Sequence, residues 1–384
     1  MRSWSGNEVE HMKRRSLVLG GLVAGGVATG FPGIAMAQPS VIKFGQSASM
    51  TGADAEHGRD IRAGIVAAFE AASKTTGTRF ELITLDDAGS PDRCAQNVST
   101  LLGSNVAALI GLTSGAGAEA AMSAIDLSQM PLLGTASGSM GLRTDKPSSA
   151  YHVRAGYDLE FKRMVAYAKE RALLRVGLVY MQETSAPDLA AMTGALAGAG
   201  IAPKEAIAVA QSPAAFQSAA SKLMAANLDC VLFVAQAAPV AAIIDQMNTA
   251  KYRGLFYASS MAGQDLIDSL AAKKQSAILS VVVPRPSSMG LQVVSRCQQD
   301  LAALNSGAKM STTTLEGYIS GRIAVEAARN AMKVASVSKR SMKDALSSLR
   351  ADLGGYTVQF TPGSTQGSKY VELVALDRYG RLVA

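Results

Sequence analysis

From residue 41 to about residue 284 the chain repeats one unit: a short apolar run rich in β-branched residues, then a longer Ala-rich segment of helical period. Short buried strands alternating with amphipathic helices pack as parallel sheets with helices on their faces, so the expected fold class is α/β. Strands are predicted at 41–48 (VIKFGQSA), 80–87, 107–113 and 131–137 (PLLGTAS), and a second series at 175–181, 229–236, 254–260 and 278–284. Helices are predicted at 58–74, 91–103, 115–128, 158–172, 188–199, 214–227 and 238–250. Two such series make two doubly wound, Rossmann-like lobes. Open α/β sheets bind ligands beyond the carboxyl ends of their strands, which places a ligand cleft between the lobes.

Two stretches without regular period interrupt the alternation. RTDKPSSAYHVRAGYD, residues 143–158, carries Pro147, Ser148 and Ser149 and reads as a crossing between lobes; PRPSSMG at 284–290 reads as a second. Helices follow at about 290–305, 313–334 and 341–349. The final segment alternates like an antiparallel pair around Pro362-Gly363.

The amino-terminal stretch has a separate logic. Met12 opens a run in which Lys13, Arg14 and Arg15 precede a small-residue apolar stretch ending in Ala35-Met36-Ala37. A basic end, an apolar middle and an A-x-A site are the parts of a secretory signal, with Met12 as the true start and cleavage after Ala37. A membrane anchor is disfavoured, because the stretch is Gly-rich and broken by Pro32. The Arg14-Arg15 pair is similar to a twin-arginine signal, although Leu17 stands where Phe is usual, so the export route stays open.

Loss of 37 residues from 384 leaves 347, enough for two domains. It also removes four basic and two acidic side chains from the 37 and 30 of the whole chain, leaving a net charge of +5. Basic residues occur only in short pairs such as Lys273-Lys274, not in patches with aromatics, so no nucleic-acid partner is expected. Cys94, Cys230 and Cys297 form no C-x-x-C and have no His at metal spacing, so neither a metal site nor a cofactor is expected. In an oxidising compartment one disulfide is conceivable, with Cys230 and Cys297 as the candidate pair.

Enzymatic constellations are missing. Gly45, Gly52 and Gly58 are too widely spaced for a G-x-G-x-x-G turn, there is no G-x-S-x-G, and no His follows His152. Asp86-Asp87 has no partner His and reads as a loop-capping pair, His57 as the start of a surface helix, and Glu316 as a helix-start or inter-lobe residue.

The ordered segments VIKFGQSASMTG, LDDAGSPDRCAQN, LIGLTSGAGAEAAMSAI, MPLLGTASGS and YHVRAGYDLEF resemble the type I periplasmic binding proteins of the leucine/isoleucine/valine-binding family. VVVPRPSS, TTLEGYISGRIAVEA and LGGYTVQFTPGS are similar to one branch of it, and the likeness runs from about Val41 to the end. The resemblance implies a monomeric two-lobed receptor in the periplasm that closes around a small molecule and presents it to the membrane permease of an ABC importer. It further implies lobe 1 at 38–157 plus about 285–365, and lobe 2 at 158–284 plus about 366–384.

Family members hold a ligand carboxylate on two loops that match Ser114-Gly115 and Ala136-Ser137 here. Both loops follow predicted strands, where unpaired N–H groups at a helix start favour an anion; as helix N-caps the same serines would have a purely local role. Tyr157 lies at the first crossing, either closing over a ligand or packing the hinge. Asp158 is a ligand partner or a helix cap. In lobe 2, Ala186-Pro187 stands where many relatives carry Tyr-Gly, and Ser259-Ser260 where amino-acid-binding relatives carry a carboxylate. A buried ammonium without a counter-charge is costly, so a neutral or carboxylated solute is expected in place of an ordinary α-amino acid. Gln236 and Ser259 are its polar contacts, Met50 and Met261 its apolar walls, and Glu183 a possible substitute charge. The competing functions are a ligand sensor for a membrane kinase or chemoreceptor, which the same fold would serve, and a Rossmann-type enzyme.

Overall fold

The computed structural model describes residues 40–144 and 148–383; the expected export segment and Pro147 lie outside them. The chain opens with β1 (Val41–Ala48), α1 (Ala55–Thr76), β2 (Arg79–Asp86), α2 (Pro91–Leu102), β3 (Ala108–Ile110), α3 (Gly115–Ser128), β4 (Leu132–Leu133) and β5 (Ala150–Tyr151). These strands form a five-stranded parallel sheet in the order β2-β1-β3-β4-β5. Next come α4 (Tyr157–Glu170), β6 (Val176–Met181), α5 (Ala186–Gly198), β7 (Glu205–Val209), α6 (Pro213–Ala225), β8 (Cys230–Val234), α7 (Ala237–Thr249), β9 (Leu255–Ala258), α8 (Gly263–Ala272) and β10 (Ala277–Val281). Strands β6 to β10 repeat the first arrangement in the parallel order β7-β6-β8-β9-β10. Each sheet therefore reverses its strand order once, between β1 and β3 and between β6 and β8, where such sheets open a crevice at their carboxyl edge.

The remaining elements are α9 (Gln292–Ala303), α10 (Thr312–Met332), α11 (Lys339–Leu346), β11 (Arg350–Asp352), β12 (Thr357–Gln359), β13 (Glu372–Leu376) and β14 (Leu382–Val383). Helices α9, α10 and α11 bury their apolar faces in the core under the first sheet, together with Phe44, Ile65 and Phe69. Strand β13 pairs antiparallel with β10 and so extends the second sheet. The pair expected around Pro362-Gly363 is only a turn closed by Thr361 and Ser364. Strand β12 takes β11 as its partner, and the residues beyond the turn continue toward β13.

Helix starts are written in local chemistry. Ser90, Ser114, Ser185, Ser212 and Ser311 each accept a backbone N–H of the first turn, and proline follows within the first two positions in α2, α5 and α6. A serine hydroxyl satisfies a donor that the helix itself cannot, and proline there has no N–H to lose. Strand β7, helix α8 and the short β5 were not among the predicted elements. Strand β7 is a half-exposed edge strand, buried only at Val209, so its apolar signal is weak.

Helices α1 and α10 pack backbone to backbone. A Cβ on Gly64 would lie 2.0 Å from the Thr314 carbonyl oxygen, and one on Gly317 would lie 2.2 Å from that of Ile61. Cys94, Cys230 and Cys297 are free and buried, which overturns the candidate disulfide. Cys230 sits in a core cluster of the second sheet and Cys297 in that of the first, so the bulk of two lobes separates them.

The chain passes between the sheets at residues 152–156, 282–291 and 361–371. These passages are bonded to one another. The Tyr356 hydroxyl lies 2.7 Å from the Val153 carbonyl oxygen and 3.1 Å from that of Val282. Gln366 Nε2 donates to the Arg154 carbonyl at 2.7 Å, and the Gly367 amide donates to His152 O at 2.8 Å.

Candidate functional site

At the carboxyl edge of the first sheet the loops are fixed by short side chains. Asp86 accepts from the Met50 and Thr51 amides, and Thr51 donates its hydroxyl to the same carboxylate at 2.6 Å. These bonds, the Thr51 hydroxyl first, hold the Asp86 carboxyl down at about 2. Buried Asp87 accepts from Ser47 and Ser49. The Asp86-Asp87 pair thus caps the loop after β1.

Ser114 is the N-cap of α3: its Oγ accepts the Gly117 amide at 3.1 Å. That leaves its own proton to donate, and the Gly115 and Ala116 amides have no intrahelical acceptor. The second loop lies directly against this one. A Cβ on Gly115 would meet Ser137 Oγ at 2.7 Å, so only glycine lets the loops approach this closely. Ser137 Oγ accepts the Ser139 amide at 3.2 Å and lies 3.4 Å from the Tyr157 hydroxyl. The Ala136 amide is already used, donating to Leu112 O at 2.9 Å. Arg143 braces the loop from behind through the Ser137 and Ser139 carbonyls. Burial, then the charge of Arg154, lowers Arg143 to about 10, still cationic at neutral pH.

Tyr157 closes one side. Its ring covers Gly138, where a Cβ would come within 2.5 Å of the ring, and it stacks on Phe161 with centroids 5.8 Å apart. Burial pushes the phenol pKa up, so the hydroxyl remains a donor. Ser114, Gly115, Ser137 and Tyr157 are therefore brought together. Asp158 points elsewhere, toward Lys162 on the exposed face of α4.

The second lobe contributes Ser259 and Ser260 at the carboxyl end of β9, in a 3-10 turn spanning Ser260–Ala262. Gln236 is the N-cap residue of α7, exposed and without a cap bond, and Glu183 is also exposed; neither lines the cavity described next. Met261 packs against the core of the second lobe. Two residues without any sequence signal reach the first lobe. Asp188, in the first turn of α5, accepts the Met140 amide at 2.7 Å. Arg154 forms the centre of a buried ionic cluster.

Arg154 Nη1 donates to both oxygens of Glu316, at 3.1 and 3.3 Å. Its Nη2 donates to Glu160 Oε1 at 2.9 Å and to the Ser260 hydroxyl, and Nε donates to Ala155 O. Glu160 Oε2 accepts the Ser260 amide at 2.9 Å and the Ser280 hydroxyl at 2.6 Å. Burial alone would lower the guanidinium pKa, but Glu316 and then Glu160 more than offset it and hold the pKa above its ordinary value. Above this cluster lies an inter-lobe cavity lined by His57, Ser259, Ser260, Thr312, Thr313 and Glu316. Its volume of about 30 Å³ has room for a water or two, so an organic solute enters only with the lobes further apart. Among the described residues no group of His, Cys, Asp and Glu could hold a metal ion.

Residues 41–380 match the family model described as "Periplasmic binding protein". No curated protein matches the chain by sequence. Among solved structures, a possible leucine/isoleucine/valine-binding protein from Rhodopirellula baltica is 23% identical, with a TM-score of 0.81 over 90% of this chain and 97% of that one. An extracellular ligand-binding receptor from Verminephrobacter eiseniae is 22% identical, with a TM-score of 0.83 over 90% and 100% of the two chains. A solute-binding protein of an ABC transporter from R. palustris, in complex with 4-hydroxybenzoate, is 16% identical, with a TM-score of 0.76 over 90% and 95%.

Proposed function

The chain belongs to the periplasmic binding protein family, and from that premise we propose that it captures a small carboxylate-bearing organic solute outside the cytoplasm and delivers it to the permease of an ABC importer. The observation that carries the reading is the contact of two serine loops, Ser114-Gly115 and Ser137, beneath the Tyr157 hydroxyl. Hydroxyl and amide donors at a helix start match a carboxylate, and charge-assisted bonds of this kind are the stronger ones. Arg154 is no rival for that role, because its nitrogens are committed to Glu316, Glu160, Ser260 and Ala155. The cluster of one guanidinium and two carboxylates leaves negative charge at the cavity floor. None of Ser114, Gly115, Ser137 and Tyr157 lines this cavity, so the solute carboxylate is proposed to sit at the serine loops, away from that negative charge.

The proposed lobe division is residues up to 157 with about 285–365 in one lobe and 158–284 with about 366 onward in the other, with the crossing at 152–156, which carries Arg154, at the boundary between them. Release of the bound small molecules by denaturing natively purified protein, followed by mass spectrometry, tests the proposal. A carboxylic acid at about one equivalent is the expected result; a solute with no acidic group would overturn it.

A further inference from the structure

Arg154 stands on the first crossing and holds one lobe with each end of its guanidinium. The Nη2 partners Glu160 and Ser260, together with Ser280, which donates to Glu160, belong to elements around the second sheet, whereas Glu316 is the fifth residue of α10, which packs on α1. The grip on the second lobe is the firmer one. Glu160 is fully buried and takes four hydrogen bonds. Glu316 keeps 9% of its side chain exposed on the cavity wall and is held by Nη1 alone. When the lobes separate, the contact that parts is therefore Arg154–Glu316. Open, Glu316 is hydrated and Arg154–Glu160 remains as a neutral pair. Closed, Nη1 is cut off from water and needs the Glu316 acceptor, because a buried donor without a partner is costly.

We propose that Glu316 is a positioning residue for solute capture: its bond to Arg154 is a latch that draws the lobes together before any solute binds. The same guanidinium also bonds the Ser260 hydroxyl, so closure and the placement of a cavity-lining serine are set by one group. The inference rests on the solute-binding reading, but its test uses no solute and can fail independently of that reading.

The test is small-angle X-ray scattering of solute-stripped protein. Glu316→Ala leaves Nη1 without an acceptor only in the closed form. Its radius of gyration should rise above that of the unsubstituted protein, near roughly 20 Å for a compact chain of this length. Glu316→Gln restores an acceptor and should return the value most of the way. An unchanged radius for Glu316→Ala, with native circular dichroism, overturns the latch, and so does a lowered melting temperature with no change in radius. Should Glu316→Ala not fold, Arg154→Lys decides, since one ammonium cannot span both carboxylates: a larger radius supports the latch and an unchanged one overturns it.

Discussion

The Met140 amide donates to Asp188 Oδ1 at 2.7 Å, a bond between a 3-10 turn beside the first sheet and the first turn of a helix beside the second. Because the acceptor is a carboxylate, the bond is charge-assisted and contributes about 1.5–3 kcal/mol to the closed arrangement. Asp188→Ala should weaken solute binding by roughly tenfold or more while leaving each lobe folded. Isothermal titration with the co-purifying solute measures the first effect, and circular dichroism the second. An unaltered affinity would remove Asp188 from the closing contacts.

At the serine loops, Ser137→Ala deletes the hydroxyl facing Tyr157 and should cost on the order of 1–3 kcal/mol in binding of a carboxylated solute. The same substitution should leave the affinity for an uncharged analogue nearly unchanged. Equal losses for both would mean that Ser137 only shapes the loop.

Stability has a sharp test in Gly64→Ala. The added methyl would meet the Thr314 carbonyl oxygen at 2.0 Å, and both partners are helix backbone that moves only with its helix. Overpacking typically costs about 1–3 kcal/mol, and the upper end is expected here. Gly194→Ala, where a Cβ meets nothing within 4 Å, is the control and should not destabilise. The difference is read from thermal or denaturant unfolding.

The rim where α1 meets α8 should respond to pH. Burial raises the pKa values of Asp60 and Asp265 above 3.8, and the Glu56 carboxylate raises both further, while His57 lowers both and Ser311 lowers Asp60. Asp54 and Asp268 add to the acidic set around Asp265. A carboxyl with a raised native pKa contributes stability in full below 3.8 and loses it as pH rises through the raised value. The thermal midpoint should therefore carry a falling component from about pH 4 toward neutrality, and Asp265→Asn should flatten it. Asp86, held at about 2, acts in the opposite sense and only as pH falls from 3.8 toward that value. A slope identical in Asp265→Asn would exclude the rim as its source.

The placement of Ser114, Gly115 and Ser137 on loops that follow strands was legible because the chemistry is local: a strand, a serine and a small residue at a helix start. The doubly wound sheets were legible for the same reason, through repeated strand-helix units. What stayed hidden depends on partners distant in the chain. Asp188 finds Met140 across 48 positions and Arg154 finds Glu316 across 162, and nothing beside either residue announces its partner. Asp188 reads as an ordinary acidic first-turn residue, and Arg154 lies in a stretch with no period. The return of the last strand to the second lobe was implied by the family resemblance, but nothing in the residues of β13 announces β10 as its partner.

That return has a consequence for how the molecule is made. The first sheet's core needs α10 and α11, and the second sheet takes residues 372–376 as the strand beside β10, so neither half is a contiguous gene segment. A fragment ending at Val281 would present the backbone edge of β10 to solvent, an open template for pairing with other chains. Nascent chains therefore carry that hazard until nearly the last residue has emerged, and truncations of about a dozen carboxyl-terminal residues should appear in the insoluble fraction.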